Sequence, residues 1–176
     1  WTTTTVDPTC GAYYDAQDTS ITVDDDNNYL ISYYDSNNQD LKFAKYDGNG
    51  WSTTTIDSTG NVGLLPDITT TSDINDYYLI SYLDYTNGDL KLAKYDGNTW
   101  TTSIIDSSGY VGKYSSITTD EDNNYLVSYS DSGNYDLKFA KYDGDSWEIT
   151  VVDNDTPGYV GWDTSIATDN DNNYLI

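Results

Sequence analysis

Asp24-Asp-Asp-Asn-Asn-Tyr-Leu-Ile-Ser-Tyr-Tyr-Asp35 is the stretch that decides the fold, because it returns three more times along the chain. The later copies are Asp73-Ile-Asn-Asp-Tyr-Tyr-Leu-Ile-Ser-Tyr-Leu-Asp84, Asp120-Glu-Asp-Asn-Asn-Tyr-Leu-Val-Ser-Tyr-Ser-Asp131 and the shorter Asp169-Asn-Asp-Asn-Asn-Tyr-Leu-Ile176. Their Tyr-Leu pairs start at 29, 78, 125 and 174, so successive copies are 49, 47 and 49 residues apart. Repeats of this length indicate supersecondary units that bury their faces against one another. We therefore expect recurring residues to form the scaffold and function to depend on positions that differ between copies.

Each copy contains four segments with the properties of β-strands. Tyr29, Ile31 and Tyr33 alternate with Leu30, Ser32 and Tyr34, which predicts a strand buried at least partly on both faces. The polar turn after it leads to a second recurring stretch, Asp40-Leu-Lys-Phe-Ala-Lys-Tyr-Asp-Gly48. In the next copy the equivalent turn contains Asn87-Gly88, a strong hairpin signal. Trp51-Ser-Thr-Thr-Thr-Ile-Asp57 has high β-propensity and predicts the third strand, and a segment at Ile68-Thr-Thr-Thr71 predicts the fourth. No segment has helical periodicity, so the sequence predicts an all-β protein.

The order of these motifs resembles the β-propeller repeats of fucose-specific lectins and of sialidase-like, Asp-box-type extracellular proteins. The resemblance implies a β-propeller of four-stranded antiparallel blades, with the innermost strand first and the Trp strand outermost. It implies one repeat domain over 1–176 with an incomplete ring: an outer strand at 1–7, blades at 19–57, 67–106 and 115–153, and the first strands of a truncated blade at 165–176. A β-solenoid or an open stack of sheets is the alternative. We also expect unpaired sheet edges to recruit strands from a continuation of the chain or from a neighbouring copy.

The charge of the chain restricts its partners. Thirty acidic residues against seven lysines, with no Arg or His, give a net charge of −23. Such a field repels phosphate backbones and anionic membranes, which argues against nucleic acid and membrane insertion. The composition also favours a secreted or cell-surface location. A single cysteine, Cys10, excludes an internal disulfide.

The recurring charged residues are interpreted as structural. The Asp clusters at 24–26, 73/76, 120–122 and 169/171 could supply oxygen ligands to calcium, but they lack the glycine and the further carboxylate of acidic calcium loops. We therefore expect turns capped by Asp and Asn side chains, with no metal and no cofactor. The recurring lysines at 42/45, 91/94 and 138/141 are expected to pair with Asp across strands or blades, each exposed pair contributing at most about 1 kcal/mol.

Candidate binding residues come from the segment that precedes each inner strand. It keeps a glycine but varies beside it, and loops on a rigid scaffold are where binding usually resides. The candidates are Tyr14, Asp15, Tyr114, Trp162 and Asp163. The tryptophans at 51, 100 and 147 recur strictly. We expect these to pack between blades rather than to bind a ligand.

These observations predict a non-catalytic, lectin-like module that binds glycans or a surface protein through interblade loops. The alternatives are a structural subunit of an extracellular filament or surface layer and, less favoured, a glycoside-active enzyme. The sialidases that the chain resembles bind their substrate carboxylate with arginines, and this chain has none. The resemblance to fucose lectins implies an Arg and a Glu at the sugar, whereas here Glu121 and Glu148 do not recur. No catalytic residue is assigned.

Overall fold

The computed structural model describes residues 3–9, 17–71, 77–154, 160–169 and 171–176. These residues form strands, turns and bends, and they contain no helix, so no helix among them could cross a membrane. The strands are β1 (Gln17–Val23), β2 (Tyr29–Asp35), β3 (Asp40–Tyr46), β4 (Trp51–Asp57), β5 (Val62–Thr70), β6 (Tyr78–Asp84), β7 (Asp89–Tyr95), β8 (Trp100–Asp106), β9 (Val111–Thr119), β10 (Tyr125–Asp131), β11 (Asp136–Tyr142), β12 (Trp147–Asp153), β13 (Ala167–Thr168) and β14 (Tyr174–Leu175).

The strands form three four-stranded antiparallel sheets and one two-stranded sheet. β1 to β4 make the first sheet, β5 to β8 the second and β9 to β12 the third, each in sequence order, and β13 pairs with β14. The prediction of an all-β chain of four-stranded antiparallel units is therefore confirmed. The described residues do not close into a barrel or ring, as expected for an incomplete propeller.

The two ends of each sheet differ in chemistry. In the second sheet Tyr78 is paired with Tyr95, and Tyr95 with Trp100, so these rings lie side by side at what we call the tryptophan end. Asp84 is paired with Asp89 at the opposite, aspartate end, where Asp106 also lies. The other two complete sheets have the same arrangement.

The inner strands begin earlier than the sequence predicts. Residues 62–66 and 111–114 lie before the predicted blades at 67–106 and 115–153, but they belong to β5 and β9. Leu65 and Tyr114 adopt positive φ angles of 51° and 53°, and β5 and β9 pair with irregular register there. A bulge lets a strand bend and keep its pairing beyond the bend. The apparent linker is therefore the first part of each inner strand.

The chain outside the three complete sheets is less regular. Residues 3–7, predicted as an outer strand, form no strand pairs among the described residues. Nevertheless, Asp7 accepts a hydrogen bond from the Tyr33 hydroxyl at 2.7 Å. Asp57 at the end of β4 and Asp106 at the end of β8 accept the equivalent bond from a tyrosine of the following sheet. In the segment at 165–176, β13 and β14 have two residues each.

The hydrophobic core lies between neighbouring sheets. Leu30, Leu41 and Phe43 of the first sheet pack against Tyr78 and Ile80 of the second, and an equivalent cluster joins the second sheet to the third. Trp100 makes an edge contact with Phe43 at 5.1 Å between ring centroids. The prediction that this recurring tryptophan packs between blades is confirmed.

Candidate functional site

A buried ionic network crosses both boundaries between complete sheets at the aspartate end. The Lys91 ammonium and the Tyr82 hydroxyl of the second sheet both donate to the carboxylate of Asp57, the last residue of β4. All three side chains are buried. Equivalent networks join Asp7 to Lys42 and Tyr33, and Asp106 to Lys138 and Tyr129. Cross-blade pairing of these lysines is thus confirmed, but our expectation that the pairs are exposed was wrong.

The hydrogen bonds of this network control the ionisation of its members. Burial on its own would raise the pKa of Asp57, but hydrogen bonds from Lys91, Thr59 and Tyr82 offset it and lower the pKa to about 2. Burial raises the pKa of Tyr82, and the Asp57 carboxylate raises it further. An ionised Asp bonded to a neutral Tyr and a buried Lys is a structural unit here, because the same set occurs at Asp7, Asp57 and Asp106.

The first aspartate of the acidic clusters is engaged at the tryptophan end. Asp24 accepts hydrogen bonds from the Asn28 backbone and side chain, each at 2.8 Å, as expected for a capped turn. It also binds Lys45 at 3.0 Å and the Tyr78 hydroxyl at 2.8 Å. Asp120 repeats these contacts with the equivalent residues of the next copies. Among the described residues no three acidic or sulfur-bearing side chains are arranged to hold a metal ion, and the cluster at 73/76 lies outside them.

An aromatic cleft opens between the first and second sheets at the tryptophan end. It has a volume of about 300 Å³. Its aromatic wall is formed by Tyr78, Tyr95 and Trp100, and its polar wall includes the Lys45 ammonium and the exposed hydroxyl of Thr54. Ser52, Phe43 and Asn98 complete the lining. Such a cleft can stack an apolar face on its rings and exchange hydrogen bonds with hydroxyl groups.

The same cleft occurs again between the second and third sheets. Its volume is about 280 Å³, and equivalent residues line it one copy further along. The lining consists of Leu92, Lys94, Thr101, Ser103, Ile104, Tyr125, Tyr142 and Trp147. We call these two cavities the outer clefts, because the outermost strand of a sheet forms one wall of each.

The lysine of the first outer cleft is held in place by its neighbours. The Lys45 ammonium donates to the Tyr78 hydroxyl at 2.7 Å and pairs with Asp24, while it lies 5.2 Å from the Tyr78 ring centroid. Burial would lower its pKa, but the bonds to Tyr78 and Asp24 raise the pKa instead. Because Asp24 balances its charge, this lysine provides a positioned donor rather than a net positive field.

A third cavity lies where the inner strands of the three complete sheets meet. This axial cleft has a volume of about 300 Å³ and is lined by Asp18, Leu65 and Tyr114, which are equivalent in the three copies, and by the residues that follow each. Asp67 at its wall accepts the Ser20 hydroxyl at 2.6 Å and the Ser116 hydroxyl at 3.0 Å. Ser20 and Ser116 stand at the position of Asp67 in their own copies, so one carboxylate connects three inner strands.

The structure brings two of the predicted site residues together. Tyr114 and Trp162 stack with ring centroids 5.5 Å apart and planes 27° apart, at the rim of the axial cleft. Trp162 is 60% exposed. Asp163 is exposed next to it with a φ of 53°. Tyr14 and Asp15 lie outside the described residues.

Sequence reasoning missed the outer clefts. The recurring tryptophans were expected to pack between blades rather than to bind a ligand, yet Trp100 and Trp147 also form cleft walls. The signal that could have found them is the exposed Thr and Ser pattern of the outer strand, because Ser52 and Thr54 face the same side as the Trp100 wall.

Comparison with known proteins supports the architecture. No family model and no curated protein matches the sequence. Among solved structures, a mutant Aleuria aurantia lectin in complex with Fucα1-6GlcNAc matches with a TM-score of 0.59 and 18% identity over 82% of this chain and 47% of that one. The chain thus spans about half the length of that lectin. A fucose lectin from Kordia zhangzhouensis in complex with methyl-fucoside matches with a TM-score of 0.57 and 16% identity, over 78% of this chain and 99% of that one.

An exo-β-1,3-galactanase from Phanerochaete chrysosporium with β-1,3-galactotriose also matches. Its TM-score is 0.55 and its identity 14%, over 77% of this chain and 35% of that one. The chain has a propeller-type fold. At these identities the likeness extends to the fold alone, and the same architecture occurs in lectins and in a glycoside hydrolase.

Proposed function

We propose that this protein binds glycans without catalysis, through the outer clefts between its blades. The observation that carries the proposal is the repetition of one aromatic and hydroxyl-lined cleft at both boundaries between complete sheets. A cleft of about 300 Å³ is at the lower end of the volumes of small-ligand sites, which suits one or two sugar rings. The fucose-binding lectins among the structural neighbours support this function.

Repetition also explains how shallow clefts could bind usefully. Several weak sites on one rigid scaffold can engage a branched or repetitive glycan at the same time, and avidity then exceeds the affinity of each site by orders of magnitude. Because each lysine in an outer cleft donates hydrogen bonds and the chain carries 23 net negative charges, these clefts suit neutral sugars. We do not assign fucose, because the chain has no arginine to hold it.

The experiment is a glycan-array measurement on the protein and on a variant with both outer clefts blocked. Thr54→Arg and Ser103→Arg place a long side chain in each cleft from an exposed strand. Thr53→Arg is the matched control, since the neighbouring residue points to the opposite face of the same strand. We expect the doubly blocked variant to lose the glycans that the wild type and the control bind. Equal binding by all three proteins would disprove the assignment.

A second candidate function, assembly with another copy, is favoured by the first sheet. Ile21 is 64% exposed, whereas its equivalents Ile68 and Ile117 are 5% and 4% exposed beneath a preceding sheet. The face around Ile21 therefore suits another blade of this kind. Light scattering tests this: a concentration-dependent dimer that Ile21→Asp converts to a monomer supports assembly, and a monomer in both cases contradicts it.

The cellular setting of the proposal is the outside of the cell or its surface. It is supported by the acidic, Thr-, Asn- and Tyr-rich composition of the chain and by the sugar ligands of its structural neighbours. A surface protein that carries glycans would then be a natural partner. Fractionation of cells that express the native gene would test this location.

A further inference from the structure

A group of three side chains at the aspartate end does not take part in the outer clefts or the ionic networks. Tyr85, in the turn after β6, is 51% exposed and meets the half-buried Tyr110 edge to face, with centroids 6.0 Å apart and planes at 88°. The Lys113 ammonium lies 5.1 Å from the centroid of the Tyr110 ring. We call Tyr85, Tyr110 and Lys113 the tyrosine patch.

The combination occurs once in the chain. Ser36 and Ser132 stand at the position of Tyr85 in the neighbouring copies, and Leu64 and Trp162 stand at the position of Lys113. The scaffold therefore does not require these residues. In a repeat protein, side chains that differ at one boundary while the backbone is kept are the ones that can carry a separate function.

The backbone holds the patch rigidly. Tyr110 packs on Gly88, where a Cβ atom would lie 2.8 Å from the Tyr110 ring, so only glycine permits this contact. The Tyr110 carbonyl accepts a hydrogen bond from the Ser132 amide at 2.9 Å, and the Tyr85 amide donates to the Asn61 carbonyl at 2.9 Å. Neighbouring turns thus hold the backbone of both tyrosines in place before any ligand binds, which lowers the entropy cost of binding.

Lys113 is one of two lysines that form no ion pair among the described residues. Five of the seven lysines form ion pairs with aspartates, and Lys94 donates to the Tyr125 hydroxyl. Among the described residues, no carboxylate lies within 4.0 Å of the Lys113 ammonium. In a strongly acidic protein this leaves Lys113 as a half-buried cation against the Tyr110 ring, with no ion pair among the described residues.

We propose that the tyrosine patch is a second sugar site, selective for a ring that carries one carboxylate, such as a terminal uronic acid. The carboxylate would pair with Lys113 while the ring lies against the exposed face of Tyr85. The net charge of the chain opposes polyanions, so the ligand is a glycan with a single acidic residue rather than a polyuronate. This site lies at the opposite end of the sheets from the outer clefts and does not depend on them.

The test compares cellobiouronic acid with cellobiose, which differ only in the C6 carboxylate of one ring, by ligand-observed NMR titration. We expect the wild type to bind the acid more tightly than the neutral sugar. Lys113→Met keeps the approximate length of the side chain but removes its charge. It should weaken binding of the acid by about tenfold or more and leave the affinity for cellobiose unchanged. Tyr85→Ser introduces the residue that two other copies have at this position, and it should weaken binding of the acid several-fold.

The variant with both outer clefts blocked is the control. It should keep the preference for the acid, because Thr54 and Ser103 lie midway along the outermost strands β4 and β8, whereas the tyrosine patch lies at the aspartate end. A wild type that does not prefer the acid would overturn the proposal. So would a preference that survives Lys113→Met and Tyr85→Ser, or one that is lost when only the outer clefts are blocked. If the outer clefts bind no glycan but the preference for the acid is intact, the proposal for the outer clefts fails and the proposal for the tyrosine patch holds.

Discussion

The Tyr82 hydroxyl donates to the Asp57 carboxylate at 2.8 Å across the boundary between two sheets. The donor lies in the second strand of one sheet and the acceptor ends the outermost strand of the sheet before it. Lys91 completes the contact from the third strand. This one link therefore connects the outer edge of one sheet to the middle of the next, and Asp106 and Tyr129 repeat it at the following boundary.

Breaking this network should cost more stability than an ordinary surface ion pair. Lys91→Met leaves the buried Asp57 charge without its cation, so we expect a loss of about 3–5 kcal/mol in the free energy of unfolding. Urea unfolding measures it. Glu148→Gln on an exposed outer strand is the control and should change stability by less than about 0.5 kcal/mol. Equal effects of the two substitutions would contradict the account.

The ionisation of buried carboxylates should set the pH below which the folded protein loses stability. Burial alone would raise the pKa of Asp24, but bonds from Asn28, Tyr78 and Lys45 lower it to about 2, as in Asp57. The unfolded value is about 3.9. Because the folded pKa is the lower one, the stabilisation is complete above about pH 4 and is lost as the pH falls towards 2. Unfolding followed by tyrosine fluorescence should show this transition, and Asp57→Asn should flatten it; an unchanged profile would contradict this assignment.

Removal of the Ser32 hydroxyl, unlike the substitutions above, should not lower the stability of the protein. The Ser81 and Ser115 hydroxyls bond at 2.9 Å, as do those of Ser128 and Thr164, but Pro66 stands at the position of Ser115 in the preceding copy. Within the described residues the buried Ser32 hydroxyl accordingly has no partner. Ser32→Ala should be neutral or stabilising, whereas Ser81→Ala should cost about 1–3 kcal/mol. Thermal unfolding would refute this if both variants lost equal stability.

Two tryptophans should behave differently on truncation. Trp100→Ala removes a ring that packs against Phe43 and should cost about 3–5 kcal/mol of stability. Trp162→Ala removes a mostly exposed ring and should leave the melting temperature nearly unchanged. If the rim pair of Trp162 and Tyr114 also binds sugar, Trp162→Ala weakens a bound glycan without unfolding the chain. Loss of stability on Trp162→Ala would refute the distinction.

The repeat made most of the fold predictable. The aromatic and β-branched residues of Tyr29–Asp35 and the turns rich in Asp, Asn and Gly marked the strands of each sheet, because a strand buried on both faces and its hairpin turn favour those residue types. The early start of β5 was not predictable. Leu65 gives no sign in sequence that it takes a left-handed conformation, so the segment before Pro66 was interpreted as a linker.

Burial and cleft geometry were the parts that sequence could not supply. A lysine between acidic residues suggests an exposed pair, and only the neighbouring sheet shows that Lys91 is enclosed. The tyrosine patch had a visible signal, since Tyr85 replaces serine in two other copies. Its meaning depended on Tyr110 and Lys113 lying beside it, which the sequence order alone did not show.

The most direct test of the central claim counts the glycan sites of the outer clefts. Once the array has identified a neutral ligand, isothermal titration calorimetry of the wild type, Thr54→Arg, Ser103→Arg and the double variant gives the number of sites in each. The account predicts that each single substitution removes one site of similar affinity and that the double variant loses both. An unchanged number of sites in the double variant would contradict it.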